Sequence, residues 1–360
     1  MSGFGRFATA ACAAIAVLAG SGTVAHAQSL PVPYGNSEMI RVAVSGWDGP
    51  VPGANDYSCR PSADHPAPVV LTGSTFLSAA VNWTSLAPYL SNLGFCVFTV
   101  DYGRTVYRIP PGLNGMDPIP DSAVEVRDVV DRVLAATGAA RVDLVGHSQG
   151  GLVDRYYLNV LGGADKVGKM VLMSSPYAST GLPVDVTALA RNIIPESLFQ
   201  AILNNGRIPP LYLNFADPWA WEKIQPLQPA IEYTQITDLA DEIGLLGGMR
   251  APVGASNAVT RYINDACPID LSQHFAQPYS PAAVAMVANA LDPAHALTPP
   301  CTLVPLYALG LVRTYFGYGM SWARLTMCSR SRRVWGSIGA DQRTNTAELG
   351  RDAEQSNAHR

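Results

Sequence analysis

The segment Gly146-His147-Ser148-Gln149-Gly150 has the spacing in which a serine hydroxyl serves as a nucleophile. It follows the apolar run Val142–Val145 and precedes the helical pattern Leu152–Val160. A strand, a G-x-S-x-G turn and a helix in this order are typical of a nucleophile elbow. The turn is tight and strained, so its two glycines must lack a Cβ for strand and helix to pack closely. The pattern predicts covalent catalysis by the serine.

A serine hydroxyl is a poor nucleophile without a base, and a histidine is the usual base. In the chain order typical of an elbow, the acid and then the histidine follow the serine, which leaves His274, His295 and His359. His359 lies in a polar C-terminal stretch, and His295 ends the turn-like segment Asp292-Pro293-Ala294-His295. His274 follows a predicted strand by one loop, so we predict that His274 is the base.

The acid is expected between the serine and the histidine, at the carboxyl end of a strand. The predicted strand Ile231–Ile236 is followed by Thr237-Asp238-Leu239-Ala240-Asp241-Glu242, so three acids compete. Local spacing does not separate Asp238, Asp241 and Glu242.

Short apolar runs alternate with helical patterns along the chain, which predicts a mainly parallel α/β sheet with helices on both faces. Ser122 and Glu125 have the spacing of a capping box, ahead of a helix that Gly138 closes. The predicted strands are Val69–Leu71, Cys96–Val100, Val142–Val145, Met170–Met173, Ile231–Ile236 and Val259–Ile263.

Composition excludes several classes of protein. The chain has 360 residues, of which 48% are hydrophobic and 14% charged, and its net charge is -4. This composition excludes a disordered chain, and without a basic stripe it argues against nucleic-acid binding. The sequence has no C-x-x-C pair and no His and Cys at ligand spacing, so we expect no metal site and no cofactor.

The N-terminus has the features of a signal peptide over residues 1–27. Arg6 precedes the apolar run Phe7–Gly20, and Ala25-His26-Ala27 is a cleavage pattern. The run is too short for a membrane span, so we expect a secreted protein without a stable transmembrane anchor. The expected domains are a hydrolase domain over 28–322 and a polar, partly basic tail over 323–360, most of it disordered.

An insertion over about 181–225 is too long for a plain connection. Its apolar residues recur at roughly helical spacing from Leu189 to Leu203, and Trp219 and Trp221 follow. The pattern fits an extra core helix as well as a mobile cap whose apolar face meets a lipid. The apolar stretch Leu303–Trp322 contains Arg313, so we expect a packed helix rather than a membrane span.

Several segments together resemble the secreted class 2 lipases of bacteria and fungal lipase B of the Candida antarctica type. The resemblance covers about residues 59–301 and implies an α/β-hydrolase fold. It selects Asp241 as the acid, with Asp238 second. The segments that carry it are Val69-Val70-Leu71-Thr72-Gly73-Ser74, Asn82-Trp83, Leu93-Gly94-Phe95-Cys96, Tyr233-Thr234-Gln235-Ile236, Asp241-Glu242-Ile243 and the order Cys267, His274, Cys301.

The resemblance also implies an oxyanion hole, built from the backbone N–H groups of Gln149 and Ser74. Thr72 stands where bacterial members usually have a histidine, and the loop is one residue longer. Thr75 is therefore the alternative to Ser74.

The five cysteines of the mature chain fall into two pairs and a remainder. Cys59 lies before the first predicted strand and Cys96 begins the next, and Cys267 and Cys301 flank the His274 segment in an order similar to that of the fungal family. We predict these two pairs as disulfides, with Cys328 free or bridging two molecules.

The combined expectation is a secreted serine carboxylic ester hydrolase, specifically a triacylglycerol lipase that forms an acyl-enzyme and acts on a lipid or other ester, also at a lipid–water interface. The alternatives are a short-chain esterase, an acyltransferase of the cell envelope, and a hydrolase fold used only for binding.

Overall fold

The computed structural model describes residues 29–104, 113–177, 218–243 and 255–306. Six parallel strands form one sheet with the order β2-β1-β3-β4-β5-β6. All six predicted strands are confirmed, with ends that differ by at most three residues. The strands are β1 Val69–Thr72, β2 Val97–Val100, β3 Val142–His147, β4 Val167–Met173, β5 Glu232–Thr237 and β6 Ala258–Tyr262.

α-Helices lie between successive strands from β1 to β5, as parallel pairing requires. The α-helices of the described residues are α1 Asn36–Ser45, α2 Ala79–Trp83, α3 Leu86–Asn92, α4 Ile119–Thr137, α5 Gln149–Val160, α6 Pro218–Ile224, α7 Ile263–Ala266, α8 Gln273–Ala276 and α9 Pro281–Leu291. Short 3₁₀ turns lie at Gly163–Lys166, Gln277–Tyr279 and Pro293–His295.

Apolar layers cover both faces of the sheet, because successive residues of a strand point to opposite sides. On one face Leu71 and Val145 pack in a cluster with residues of α2, α3 and α9. On the other face Val70 and Leu144 pack with residues of α4 and α5. The predicted class, a parallel sheet with helices on both faces, is therefore confirmed.

The predicted start of α4 is wrong. The helix begins at Ile119 with Pro120 in its first turn, so Ser122 is buried inside the helix and is not its N-cap. Proline suits the first turn because it lacks the N–H that would be unsatisfied there. Glu125 instead accepts the backbone N–H of Gly103 at 3.1 Å, whereas Gly138 does end the helix, in a left-handed conformation.

Some predictions lie outside the described residues. These are the signal peptide over 1–27, the packed helix over Leu303–Trp322 except for its first four residues, the tail over 323–360 with Cys328, and the cap over 181–225 except for its last eight residues. In the part of the chain that the structure describes, no helix is both long and apolar enough to cross a bilayer.

Two disulfides are present, Cys59–Cys96 and Cys267–Cys301, with sequence separations of 37 and 34. The first joins the segment ahead of β1 to the start of β2. The second ties the end of α7 to the chain that follows α9. Each bridge closes a loop that would be flexible in the unfolded state.

Replacing either cysteine pair by alanine should lower the free energy of unfolding by about 3–4 kcal/mol, because the two closed loops have similar lengths. Denaturant unfolding of Cys59→Ala/Cys96→Ala and Cys267→Ala/Cys301→Ala measures the loss. Peptide mapping of the unreduced wild type is the control. A disulfide between Cys328 and Cys267 or Cys301 would contradict this pairing.

Candidate active site

Ser148 occupies a strained turn between β3 and α5. Its φ of 55° and ψ of -123° lie outside the conformations that side-chain-bearing residues prefer. A Cβ at Gly150 would lie 2.2 Å from the carbonyl oxygen of Thr72, and one at Gly146 would lie 2.6 Å from the backbone of Gly151. The glycines thus allow α5 to approach β1 and β3 closely enough to hold the serine at the helix N-terminus.

A hydrogen-bonded chain with two links starts at this serine. The Ser148 Oγ atom lies 2.8 Å from Nε2 of His274, and Nδ1 of the same ring lies 3.1 Å from both carboxylate oxygens of Asp241. Carboxylate oxygens only accept, so Nδ1 carries the proton and donates to Asp241. In the neutral imidazole, Nε2 then presents its lone pair to the serine hydroxyl, which donates to it.

The environment of His274 makes its imidazole a stronger base. Burial alone would lower the pKa of the ring, but the charge and hydrogen bond of Asp241 and the charge of Glu242 raise the pKa above its ordinary value. A base with a raised pKa takes a proton from a hydroxyl more readily.

The three acids that follow β5 have different partners. Asp241 contacts the histidine ring, and Gln277 Nε2 donates to its Oδ2 at 3.0 Å. Glu242 accepts the backbone N–H of His274 at 2.9 Å. Asp238 accepts the Ser272 hydroxyl at 3.1 Å and the backbone N–H of the residue before the histidine at 3.3 Å. His295 is exposed and bonds to Asp292 at 2.8 Å, away from these groups.

The two residues weighed as second oxyanion donor differ in their bonding. The backbone N–H of Ser74 donates to Asn82 Oδ1 at 3.0 Å, and the Ser74 hydroxyl donates to the same atom at 2.8 Å. The Thr75 hydroxyl donates to Oε1 of Gln149 at 3.0 Å, which joins the loop after β1 to the first residue of α5. The Ser74 N–H is thus engaged, and Thr75 lies next to the elbow.

Two further residues hold this site together and were not predicted as functional. Tyr102 donates its hydroxyl to the carbonyl of Gly73 at 2.8 Å, which supports the loop after β1. Gln277 donates to Asp241, as above, and lies three residues after His274. Neither has a local sequence signal, because both contacts join segments far apart in the chain. Within the four described ranges no His, Cys, Asp and Glu side chains cluster as a metal site would require.

The sequence of this chain matches the model of a known protein family. The family described as alpha/beta hydrolase fold matches residues 68–227, which include β1, the elbow and β4. The chain has an α/β-hydrolase fold.

The solved structures to which the chain is similar include a lipase and other hydrolases. Aspergillus fumigatus lipase B is 15% identical, with a TM-score of 0.42 over 69% of this chain and 56% of that one. An extracellular α/β-hydrolase from a Paenibacillus species is 18% identical, with a TM-score of 0.40 over 62% and 99%. A 2-hydroxy-6-oxo-6-phenylhexa-2,4-dienoate hydrolase from a Rhodococcus species is 16% identical, with a TM-score of 0.40 over 63% and 91%.

Asp154 is a buried carboxyl group behind the elbow of this hydrolase fold. A Cβ at Gly146 would lie 2.7 Å from its Oδ2 atom. Burial raises the pKa of Asp154 to about 8, against a smaller opposing effect of the Thr72 hydroxyl. The group is therefore neutral in the folded protein at pH 7, whereas it is ionised in the unfolded chain above pH ~4.

This difference makes stability depend on pH. The folded state retains a proton that the unfolded state has lost, so the stabilisation present below pH ~4 is lost as the pH rises to about 8. Asp154→Asn cannot ionise at this position, so its free energy of unfolding should rise relative to that of the wild type between pH 5 and pH 9.

Urea unfolding of the wild type and Asp154→Asn measures the difference in their free energies of unfolding at pH 5 and at pH 9. Asp128→Asn, which changes an exposed acid paired with Arg127, is the control and should leave the wild-type dependence unchanged. Equal slopes for wild type and Asp154→Asn would show that this carboxyl group is ionised in the folded protein.

Proposed function

We propose that this protein is a serine carboxylic ester hydrolase with Ser148 as nucleophile, His274 as base and Asp241 as acid. The observation that carries the proposal is the continuous hydrogen-bonded chain from Ser148 Oγ through the imidazole to the carboxylate of Asp241. The elbow supports it, because its strained turn at the N-terminus of α5 is the place where such folds present a nucleophile.

In the proposed reaction the serine Oγ–H gives its proton to Nε2 of His274 while Oγ forms a bond to the ester carbonyl carbon. The C–O bond to the alcohol then breaks, and the imidazolium returns the proton to the leaving oxygen. Water then attacks the acyl carbon while the same nitrogen takes its proton, and the imidazolium returns this proton to Ser148 Oγ as the bond from Oγ to the acyl carbon breaks and the acid leaves. Asp241 keeps the proton on Nδ1 and stabilises the imidazolium in both steps.

The oxyanion that forms in each step needs two hydrogen-bond donors. Gln149 offers one as the residue directly after the nucleophile. For the second we propose Thr75 in place of Ser74, since the Ser74 N–H already donates to Asn82. The Thr75 hydroxyl now donates to the Gln149 side chain, 74 residues away, so the two donor residues are already joined.

As substrate we propose triacylglycerols or related lipid esters, and as location the outside of the cell. The likeness of the strand, elbow and acid segments to class 2 lipases supports the substrate. The apparent signal peptide supports export, and the two disulfides are consistent with an oxidising compartment.

The test is hydrolysis of an ester series from short soluble chains to emulsified triacylglycerol, together with labelling by a fluorophosphonate. We expect labelled, active wild type, and Ser148→Ala should lose labelling and about 10⁵- to 10⁶-fold in kcat. Ser45→Ala, on the exposed end of α1, is the control for a serine outside the site. Labelling that survives Ser148→Ala would place the nucleophile elsewhere, and activity on short esters alone would favour an esterase.

The choice among the acids can be tested in the same assay. Asp241→Asn should reduce kcat by about 10⁴-fold, because an amide at this position favours the imidazole tautomer with the wrong nitrogen protonated. Asp238→Asn retains an oxygen that can accept from Ser272 and should cost less than about tenfold. Equal losses in the two variants would contradict the assignment of Asp241.

A further inference from the structure

Glu242 binds the main chain of the proposed base. It directly follows Asp241, is buried, and accepts the His274 N–H at 2.9 Å from 32 residues earlier in the chain. Helix α8 has only four residues, so its first N–H groups have no acceptor within the helix. Glu242 therefore supplies an acceptor that neither the helix nor bulk water provides.

The carbonyl of His274 is held by a different element. Nε2 of His147, the residue before the nucleophile, donates to this carbonyl at 2.9 Å. Burial lowers the pKa of His147 to about 3, so its ring is neutral at pH 7 and carries a single N–H. Because a carbonyl oxygen only accepts, we place this proton on Nε2, toward His274. Both main-chain polar groups of His274 are thus bound by side chains, one from the segment after β5 and one from β3.

The backbone that enters His274 needs such support. Gln273 has a φ of 58°, a left-handed conformation that is unfavourable for a residue with a side chain. Its N–H donates to Asp238 at 3.3 Å, which is a long bond, whereas the Glu242 bond is 2.9 Å. The shorter bond lies directly at the residue whose ring must reach the serine.

We propose that Glu242 is a positioning residue for the base: its carboxylate holds the main chain of His274 while Asp241 holds the ring, and its negative charge favours the imidazolium formed during the reaction. The inference rests on the proposed function. It gives adjacent carboxylates separate tasks on one histidine, and it explains why the second acid is buried beside the histidine main chain.

The charges around His274 determine how a change at Glu242 would be seen. Asp241 and Glu242 face it from the segment after β5, and Asp238 in the same segment accepts the N–H of the preceding residue, Gln273. His147 on β3 is neutral. Burial lowers the pKa of His274, and the charges of Asp241 and Glu242 raise it. Removing the charge at Glu242 therefore lowers this pKa, and since the base acts in its neutral form, activity extends to lower pH.

Glu242→Gln and Glu242→Leu separate the two contributions. The glutamine keeps an oxygen for the His274 N–H, so kcat/KM at its plateau should fall by about tenfold or less, and the acid limb of the pH profile should move to lower pH. The leucine leaves the N–H unpaired, and a displacement of the ring by ~1 Å would cost about 10²-fold. Asp143→Asn is the matched control, because it changes a buried carboxylate that accepts a backbone N–H at 2.8 Å near the other end of β3. It should leave the limb in place.

A titration of the His274 ring by NMR gives a readout that needs no substrate. We expect a lower pKa in Glu242→Gln than in the wild type, and an unchanged value in Asp143→Asn. An unchanged pKa and acid limb in Glu242→Gln would overturn the proposal, even if activity fell, because a purely structural role lowers the plateau alone. If Glu242→Leu does not fold, Glu242→Gln still decides. A wild type without ester hydrolysis would refute the proposed function, and the titration would still test the role of Glu242.

Discussion

The close approach of α5 to the loop after β1 is the contact on which the rest of the site depends. At Gly150 a single added carbon would stand 2.2 Å from the Thr72 carbonyl oxygen and 2.5 Å from that of Gly73. No relaxation of a side chain can relieve such a clash, because the opposing atoms are backbone. The approach brings the residues after β1 beside Gln149, so one packing constraint determines where Ser148 stands relative to that loop.

The three acids that follow β5 are buried at the carboxyl end of the sheet, where the elbow also lies. Asp238, Asp241 and Glu242 are buried in the segment directly after β5. Removing carboxylates from water is costly unless they are hydrogen-bonded. Each one accepts a backbone N–H, from Ala240 at 2.8 Å, Ile243 at 2.9 Å and His274 at 2.9 Å respectively. These bonds offset part of the desolvation and fix the backbone of the loop at the same time. Charge and position are therefore determined together, and the raised pKa of the histidine is one result.

Local sequence patterns predicted the strands and the elbow because those features depend on neighbouring residues. Apolar runs gave all six strands, and the glycines around Ser148 gave the turn. The start of α4 was missed since Pro120 outweighs the capping box at Ser122. Local spacing did not choose among Asp238, Asp241 and Glu242, because the choice depends on a histidine 33 residues later, and only the family resemblance favoured Asp241. Likewise the engagement of Ser74 depends on Asn82, which no pattern within the loop reveals.

The position of His274 results from four attachments to three separate parts of the chain. The Cys267–Cys301 bridge and the bond from Leu271 N–H to the Val304 carbonyl at 2.9 Å hold the segment ahead of it. Glu242 and His147 hold its own main chain. These attachments restrain the segment together, so the His274 ring is held at its distance from Ser148 without a long helix to carry it. A four-residue helix suffices for this purpose because its geometry is determined by surrounding side chains rather than by its own hydrogen bonds.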